Sequence, residues 1–189
     1  MRLITIFGGY RKQGNTSTVL GWMEEAAREA GHGAERIDLY DLRIEGCRGC
    51  YACTASRDEP GCVIDDDAHR VYAAMIEADA IVFGTPLYMW SYAGPLKTFL
   101  DRCYCLAVGF HKPDHFSLIE GKPSALVVAA GGSIRDNAEP IQTIFPRWAE
   151  YVKLDAKEPW ILPKCTVPDK LGEEVKANAR RLTLDLLMR

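Results

Sequence analysis

Four of the seven cysteines, Cys47, Cys50, Cys53 and Cys62, crowd into one short stretch, with two, two and eight residues between them. A tight loop can turn thiolates at this spacing toward a common centre. Four thiolates suit either a 4Fe-4S cluster or a structural zinc ion. The same stretch also reads as an irregular loop whose thiols ligate nothing, and spacing alone does not choose among the three. An odd cysteine count with such a cluster points to metal or redox chemistry in a reducing compartment more than to a disulfide framework. Cys103, Cys105 and Cys165 lack this spacing and read as structural.

A second chemically suggestive stretch runs from Gly8 to Thr18. Gly9 and Gly14 have the G-x-x-x-x-G spacing of a nucleoside-triphosphate loop, but Asn15 stands where that loop needs lysine. The dinucleotide fingerprint G-x-G-x-x-G is absent as well. What remains is a glycine-permitted turn, the cations Arg11 and Lys12, and Thr16, Ser17 and Thr18 opening a helix. Backbone N–H groups, the helix dipole and these hydroxyls together can hold one phosphate. The competing reading is a capped turn beside a solvated Arg-Lys pair.

The third stretch, Gly84 to Pro95, puts Leu87, Tyr88, Met89, Trp90 and Tyr92 in a loop. Apolar side chains in a loop carry a solvation cost unless they line an apolar ligand or pack on another element or subunit. Other candidates are weaker. His32, His69, His111 and His115 show no metal-ligand spacing, although His111 and His115 share a loop that can line a substrate mouth. Ser133 lacks a G-x-S-x-G context. Asp65-Asp66-Asp67 precedes an apolar helical stripe and reads first as a helix cap.

These stretches sit on a regular alternation of elements. Strands are expected at Leu3–Phe7, Ala34–Leu39, Ala80–Phe83, Ser124–Ala130 and Trp160–Leu162. Helices are expected over Thr16–Ala30, after Asp67, along Leu96–Cys103, over Glu139–Tyr151 and along Leu171–Leu186. Fully apolar strands such as Ala80–Phe83 belong in a parallel sheet covered on both faces. Five strands alternating with helices make an α/β, doubly wound fold, in which ligands bind where loops leave the carboxyl ends of the strands. The chain has 189 residues and shows no linker or repeat, so residues 1–189 read as a single domain, with 109–122 a surface excursion. A net charge of −3 argues against nucleic acid as the main partner. No run approaches the length of a membrane helix. The amino terminus reads as a first strand and not a signal peptide, so a cytoplasmic location is expected.

Taken together, Gly8 to Thr16, Glu77 to Tyr88 and Gly94 to Arg102 resemble the NADPH-dependent FMN reductases of the flavodoxin-like superfamily. The cysteine stretch, followed by Val63-Ile64-Asp65-Asp66-Asp67, is similar to the iron–sulfur flavoprotein branch of that family. The matching motifs span roughly residues 3 to 105. One departure is that Gly9-Tyr10 stands where family members often have Ser-Pro. The gap between Cys53 and Cys62 is about a residue longer than usual.

The resemblance implies a flavodoxin-like five-stranded parallel sheet of order 2-1-3-4-5 with one FMN per subunit. It places the FMN phosphate on Arg11, Asn15, Thr16 and Ser17. It places the flavin ring against Pro86, Leu87, Tyr88, Met89 and Trp90, with Gly131 and Gly132 on the far side. It also implies a homodimer or homotetramer and favours a 4Fe-4S cluster on Cys47, Cys50, Cys53 and Cys62. The expected activity is an NAD(P)H oxidoreductase that passes electrons through FMN to a quinone, flavin, azo or nitro compound, or metabolite. The alternative expectations are an electron carrier taking electrons from ferredoxin through the cluster, and a flavin-sensing module without turnover.

Overall fold

A computed structural model describes residues 1–109 and 112–188. The apolar run at the amino terminus is strand β1 (Arg2–Phe7), followed by helix α1 (Asn15–Glu29), β2 (Gly33–Asp38), α2 (Ala68–Glu77) and β3 (Ala80–Tyr88). Next come the short β4 (Ser91–Tyr92), α3 (Gly94–Arg102), the two-residue strands β5 (Ala107–Val108) and β6 (Phe116–Ser117), and β7 (Pro123–Ala129). Helix α4 (Glu139–Tyr151), β8 (Asp155–Ala156), β9 (Trp160–Leu162) and α5 (Glu173–Leu187) complete the order.

The parallel sheet runs β2-β1-β3-β7, with β8 and then β9 sharing the position beyond β7. This is the expected 2-1-3-4-5 order, with the fifth strand in two short pieces. Side chains alternate across the sheet as the pleat requires. Ile4, Ile6, Ile81, Phe83, Leu126 and Val128 face the layer of α2, α3 and α4. Leu3, Val82, Ala125 and Val127 face α1 and α5. Polar Thr5, on the second face, hydrogen-bonds through its hydroxyl to the buried Glu24 carboxylate of α1.

Several elements differ from expectation in instructive ways. Strand β3 does not stop at Phe83; it continues to Tyr88 and doubles back as β4, pairing Leu87 with Tyr92 and Tyr88 with Ser91. The turn residues Met89 and Trp90 have φ of 47° and 61°. Two positive φ values in a two-residue hairpin turn are the primed geometry, which normally takes Asn and Gly. Leu171 lies just before α5, outside the helix. The excursion at 109–122 contains β6, which pairs antiparallel with β5. His111 lies outside the described residues. Among those described, no helix is long and apolar enough to cross a membrane.

The aspartate run is more than a cap. Asp67 occupies the position before α2 but makes no side-chain cap bond there, and its carboxylate accepts instead from the backbone N–H of Arg43 at 2.7 Å. Asp66 accepts from the N–H of Ala68 at 3.1 Å and is also half of a wholly buried ion pair with Arg102.

Candidate functional site

The carboxyl ends of β1, β3, β7 and β9 open onto one cavity of about 490 Å³. Its base is the turn after β1. The N–H of Gly8 donates to the carbonyl of Gly84 at 2.8 Å, which ties this turn to β3. A Cβ on Gly8 would lie 2.3 Å from Cβ of Leu96, so only glycine lets the turn pack this closely on α3. The N–H of Gly14 then donates to the carbonyl of Arg11 at 3.0 Å, and α1 begins. Among the described residues no side chain caps that helix, and no acidic residue sits in its first turn. Its leading N–H groups and the positive end of its dipole are therefore available to an anion.

Arg11, Asn15 and Thr16 line this end of the cavity. Arg11 is exposed and makes no ion pair among the described residues. The hydroxyl of Thr16 makes no hydrogen bond to described residues. Asn15 Nδ2 reaches the carbonyl of Thr166 at 3.4 Å, while its Oδ1 is buried without a partner among the described residues. The other wall is Pro86, Leu87 and Tyr88, and Gly131 closes the side below β7.

The structure thus brings together Arg11, Asn15, Thr16, Pro86, Leu87, Tyr88 and Gly131. It does not bring Ser17, Met89, Trp90 or Gly132 to the cavity lining. Ser17 is buried and serves as a brace: its hydroxyl oxygen and its carbonyl accept from Arg36 at 2.6 and 3.0 Å, and Arg36 also pairs with Glu24 at 2.7 Å. Met89 and Trp90 sit at the hairpin tip, 85% and 55% exposed. Gly132 lies just past the lining, its carbonyl accepting from the N–H of Lys164. Tyr10 packs edge-on against Tyr40, with ring centres 5.0 Å apart, and does not line the cavity.

Sequence reasoning missed the segment from Cys165 to Pro168, which forms a further wall. The N–H of Cys165 donates to the carbonyl of Ala130 at 2.9 Å, which fixes this loop beside β7. The available signal was topological: in a doubly wound sheet the loop after the fifth strand opens on the same edge as those after the first and third.

An uncapped helix end with a nearby cation, a buried acceptor lacking a donor, and an apolar wall suit a phosphorylated flavin. The phosphate matches the first, a ribityl hydroxyl matches Asn15 Oδ1, and the ring matches Leu87 and Tyr88.

Cys47, Cys50, Cys53 and Cys62 all line a second concavity, of about 190 Å³, together with Arg102, Tyr104 and Cys105. Cys105, read as structural, is therefore on its wall. Burial pushes the Cys53 thiol up, and the neighbouring Cys62 adds to the rise. Among the described residues no three His, Cys, Asp or Glu side chains converge closely enough to hold a single metal ion. A cubane cluster spreads its ligands over separate corners, and an all-thiol donor set around one concavity suits it.

Comparison with known proteins identifies the family and the fold. The sequence profile of the family described as NADPH-dependent FMN reductase matches residues 1–152. An iron-sulfur flavoprotein of Methanosarcina thermophila is 34% identical over 145 residues, which cover 76% of this chain and 71% of that protein. Another, from Archaeoglobus fulgidus, is 38% identical over 112 residues, covering 59% of this chain and 53% of that one. The match thus spans only about half the length of some relatives. Among solved structures, an NAD(P)H:quinone oxidoreductase from Methanothermobacter marburgensis superposes with a TM-score of 0.79 at 24% identity, covering 98% of each chain. At that identity the likeness speaks for the fold, which is flavodoxin-like. The chain belongs to the NADPH-dependent FMN reductase family, in the branch whose named members are iron–sulfur flavoproteins, and is an FMN-dependent oxidoreductase.

Proposed function

We propose that the protein oxidises NAD(P)H at an FMN held in the larger cavity and delivers the electrons to a small acceptor, with a 4Fe-4S cluster on Cys47, Cys50, Cys53 and Cys62. The observation that carries the flavin reading is the uncapped start of α1 beside Arg11, facing Leu87 and Tyr88 across one cavity. Arg11 and the first-turn N–H groups hold the phosphate, with Asn15 and Thr16 beside them. Pro86, Leu87 and Tyr88 support the ring and shield one of its faces from water. Bound FMN supplies the hydride chemistry, so no side-chain acid or base is assigned. The acceptor class is a quinone, free flavin, azo or nitro compound, or metabolite. The exposed apolar tip of Met89 and Trp90, next to the cavity mouth, favours a homodimer or homotetramer in which a partner covers it.

The phosphate reading gives a direct test. A charge-assisted hydrogen bond contributes about 1.5–3 kcal/mol. Arg11→Ala is therefore expected to weaken FMN binding by about tenfold or more, while riboflavin, which lacks the phosphate, keeps its affinity. Equal losses for the two flavins would remove Arg11 from the phosphate site.

The alternative is an electron carrier loaded by ferredoxin through the cysteine centre, favoured by the exposure of Cys47 and Cys50 at the surface. Anaerobically purified protein separates the readings. Fast NAD(P)H oxidation with flavin bands supports the oxidoreductase. Slow oxidation, with fast reduction by ferredoxin, supports the carrier.

A further inference from the structure

The ends of the cysteine segment are tied twice: at the surface Arg43 meets the Asp67 carboxylate and the carbonyl of Asp65, and inside them a buried side-chain pair joins the same two ends. Arg102, the last residue of α3, and Asp66 have wholly buried side chains. The guanidinium donates through Nη1 to the carbonyl of Glu45 at 2.8 Å and to Asp66 Oδ2 at 2.7 Å. Through Nη2 it donates to Asp66 Oδ1 and to the sulfur of Cys62, both at 3.2 Å. Asp66 in turn accepts from the N–H of Glu45 at 2.9 Å. Glu45 lies just before Cys47, and Asp66 lies just after Cys62. The pair therefore ties together the two ends of the loop that carries all four thiols.

Between those ends the loop supports itself weakly. Its internal hydrogen bonds are short-range, from Thr54 to Tyr51, from Ser56 to Cys53 and from the Ser56 hydroxyl to Glu59. Most of the segment is exposed. Arg57 pairs with Asp114 at 2.6 Å and Tyr51 packs edge-on against Tyr104, so the placing of the thiols rests on these few contacts and on the fixing of the two ends.

We propose that Arg102 is the positioning residue of the cysteine centre: its fork on Asp66 closes the loop, and its Nη2 sets the place of the Cys62 sulfur. The proposal rests on the reading of the four cysteines as cluster ligands. Arginine suits the task because its planar fork gives parallel bonds to a carboxylate and keeps further N–H directions for the sulfur and the Glu45 carbonyl. A lysine ammonium is a single point charge and cannot span those partners in one geometry. An N–H donated to a ligand sulfur, from a group that is also a buried cation, favours the more negative reduced cluster and so raises its potential.

The test uses anaerobically reconstituted protein with FMN bound. One variant is Arg102→Lys. The other pairs Arg102→Met with Asp66→Leu, which leaves no buried charge unpaired and so keeps the fold. FMN content and far-ultraviolet circular dichroism report folding in each. Both variants are expected to retain FMN and to release iron to a chelator with about tenfold or more loss of cluster affinity, the scale expected for groups that orient ligands. The cluster that remains should titrate at a more negative potential, opposite in sign to the rise that added solvent exposure from a loosened loop would bring. If Arg102→Lys loses FMN, the paired variant decides. Wild-type iron retention at an unchanged potential in an FMN-replete variant overturns the proposal. Wild-type protein that takes up no iron or sulfide overturns the ligand reading itself.

Discussion

Thr16→Asp is expected to lower FMN affinity by about a hundredfold or more while sparing riboflavin most of that loss. Thr16 sits, buried, in the first turn of α1, whose N–H groups no described side chain caps, and lines the larger cavity. A carboxylate there can accept from those N–H groups and meets the positive end of the dipole, about 0.3–1 kcal/mol that offsets part of the cost of burying it in the empty protein. The same carboxylate occupies the place of the phosphate and repels it. Like charges brought together at a binding site cost several kcal/mol, and each ~1.4 kcal/mol is tenfold in affinity. Riboflavin should be affected far less, since it brings no phosphate to the helix end. The split between the two flavins makes the test sharp, because a general disruption of the fold would lower both flavin affinities together. Titration of flavin fluorescence for FMN and riboflavin, alongside urea denaturation of the apoprotein, reads both affinities and the state of the fold. An unchanged FMN affinity would place the phosphate elsewhere.

The sheet was legible because its signals are local. Ala80–Phe83 is an unbroken apolar run, Ser124–Ala130 is one after its first residue, and Leu3–Phe7 is interrupted only by Thr5; burial on both faces leaves such strands few alternatives. Helix α4 was equally legible, since its apolar positions repeat at helical spacing from Glu139 to Tyr151. The hairpin of β3 and β4 was not. Its turn is made by Met89 and Trp90 in left-handed conformations, where sequence rules look for Asn and Gly. A non-glycine residue in that region costs on the order of 1 kcal/mol or more, and such strain concentrates at functional sites. Here it lies beside the cavity, with Tyr88 on the lining and Met89 and Trp90 in solvent.

The lining of the larger cavity was legible where it depends on neighbours in the chain. Gly14, Asn15 and Thr16 announce a helix start, and Pro86, Leu87 and Tyr88 announce an apolar wall. The direction of each side chain was not legible. Ser17 reads as a phosphate ligand by its hydroxyl and its position, yet Arg36 of β2 engages that hydroxyl. The two residues are 19 apart in sequence, and only the parallel pairing of β1 with β2 brings them together. Cys165 escaped for the same reason, since its contact with Ala130 spans the edge of the sheet. The aspartates escaped too: three in a row before a helix satisfy every local rule for a cap, and the partner of Asp66 is 36 residues away.

That distant partner carries the largest stability effect expected here. Asp66→Ala should cost about 3–5 kcal/mol, because it leaves the Arg102 guanidinium buried without its counter-charge. Set against the ~5–15 kcal/mol that holds a typical domain together, this is a substantial fraction. Adding Arg102→Met to Asp66→Ala should recover much of the loss, since the unpaired charge is then gone. The acid limb should change as well. Burial alone would raise the Asp66 carboxyl, but the bonds from Arg102 and from the N–H groups of Glu45 and Ala68 outweigh it, and the group sits below its ordinary value. The stability it adds is therefore complete above the ordinary carboxylate pKa and is lost as pH falls through the lowered one. Wild-type protein should weaken progressively below about pH 4, where Asp66→Ala lacks this contribution to the slope. Urea midpoints measured with saturating FMN across that range separate the two curves. A loss of less than about 1 kcal/mol at neutral pH, the range of a surface pair, would show that the Asp66 side chain is solvated and not buried against Arg102.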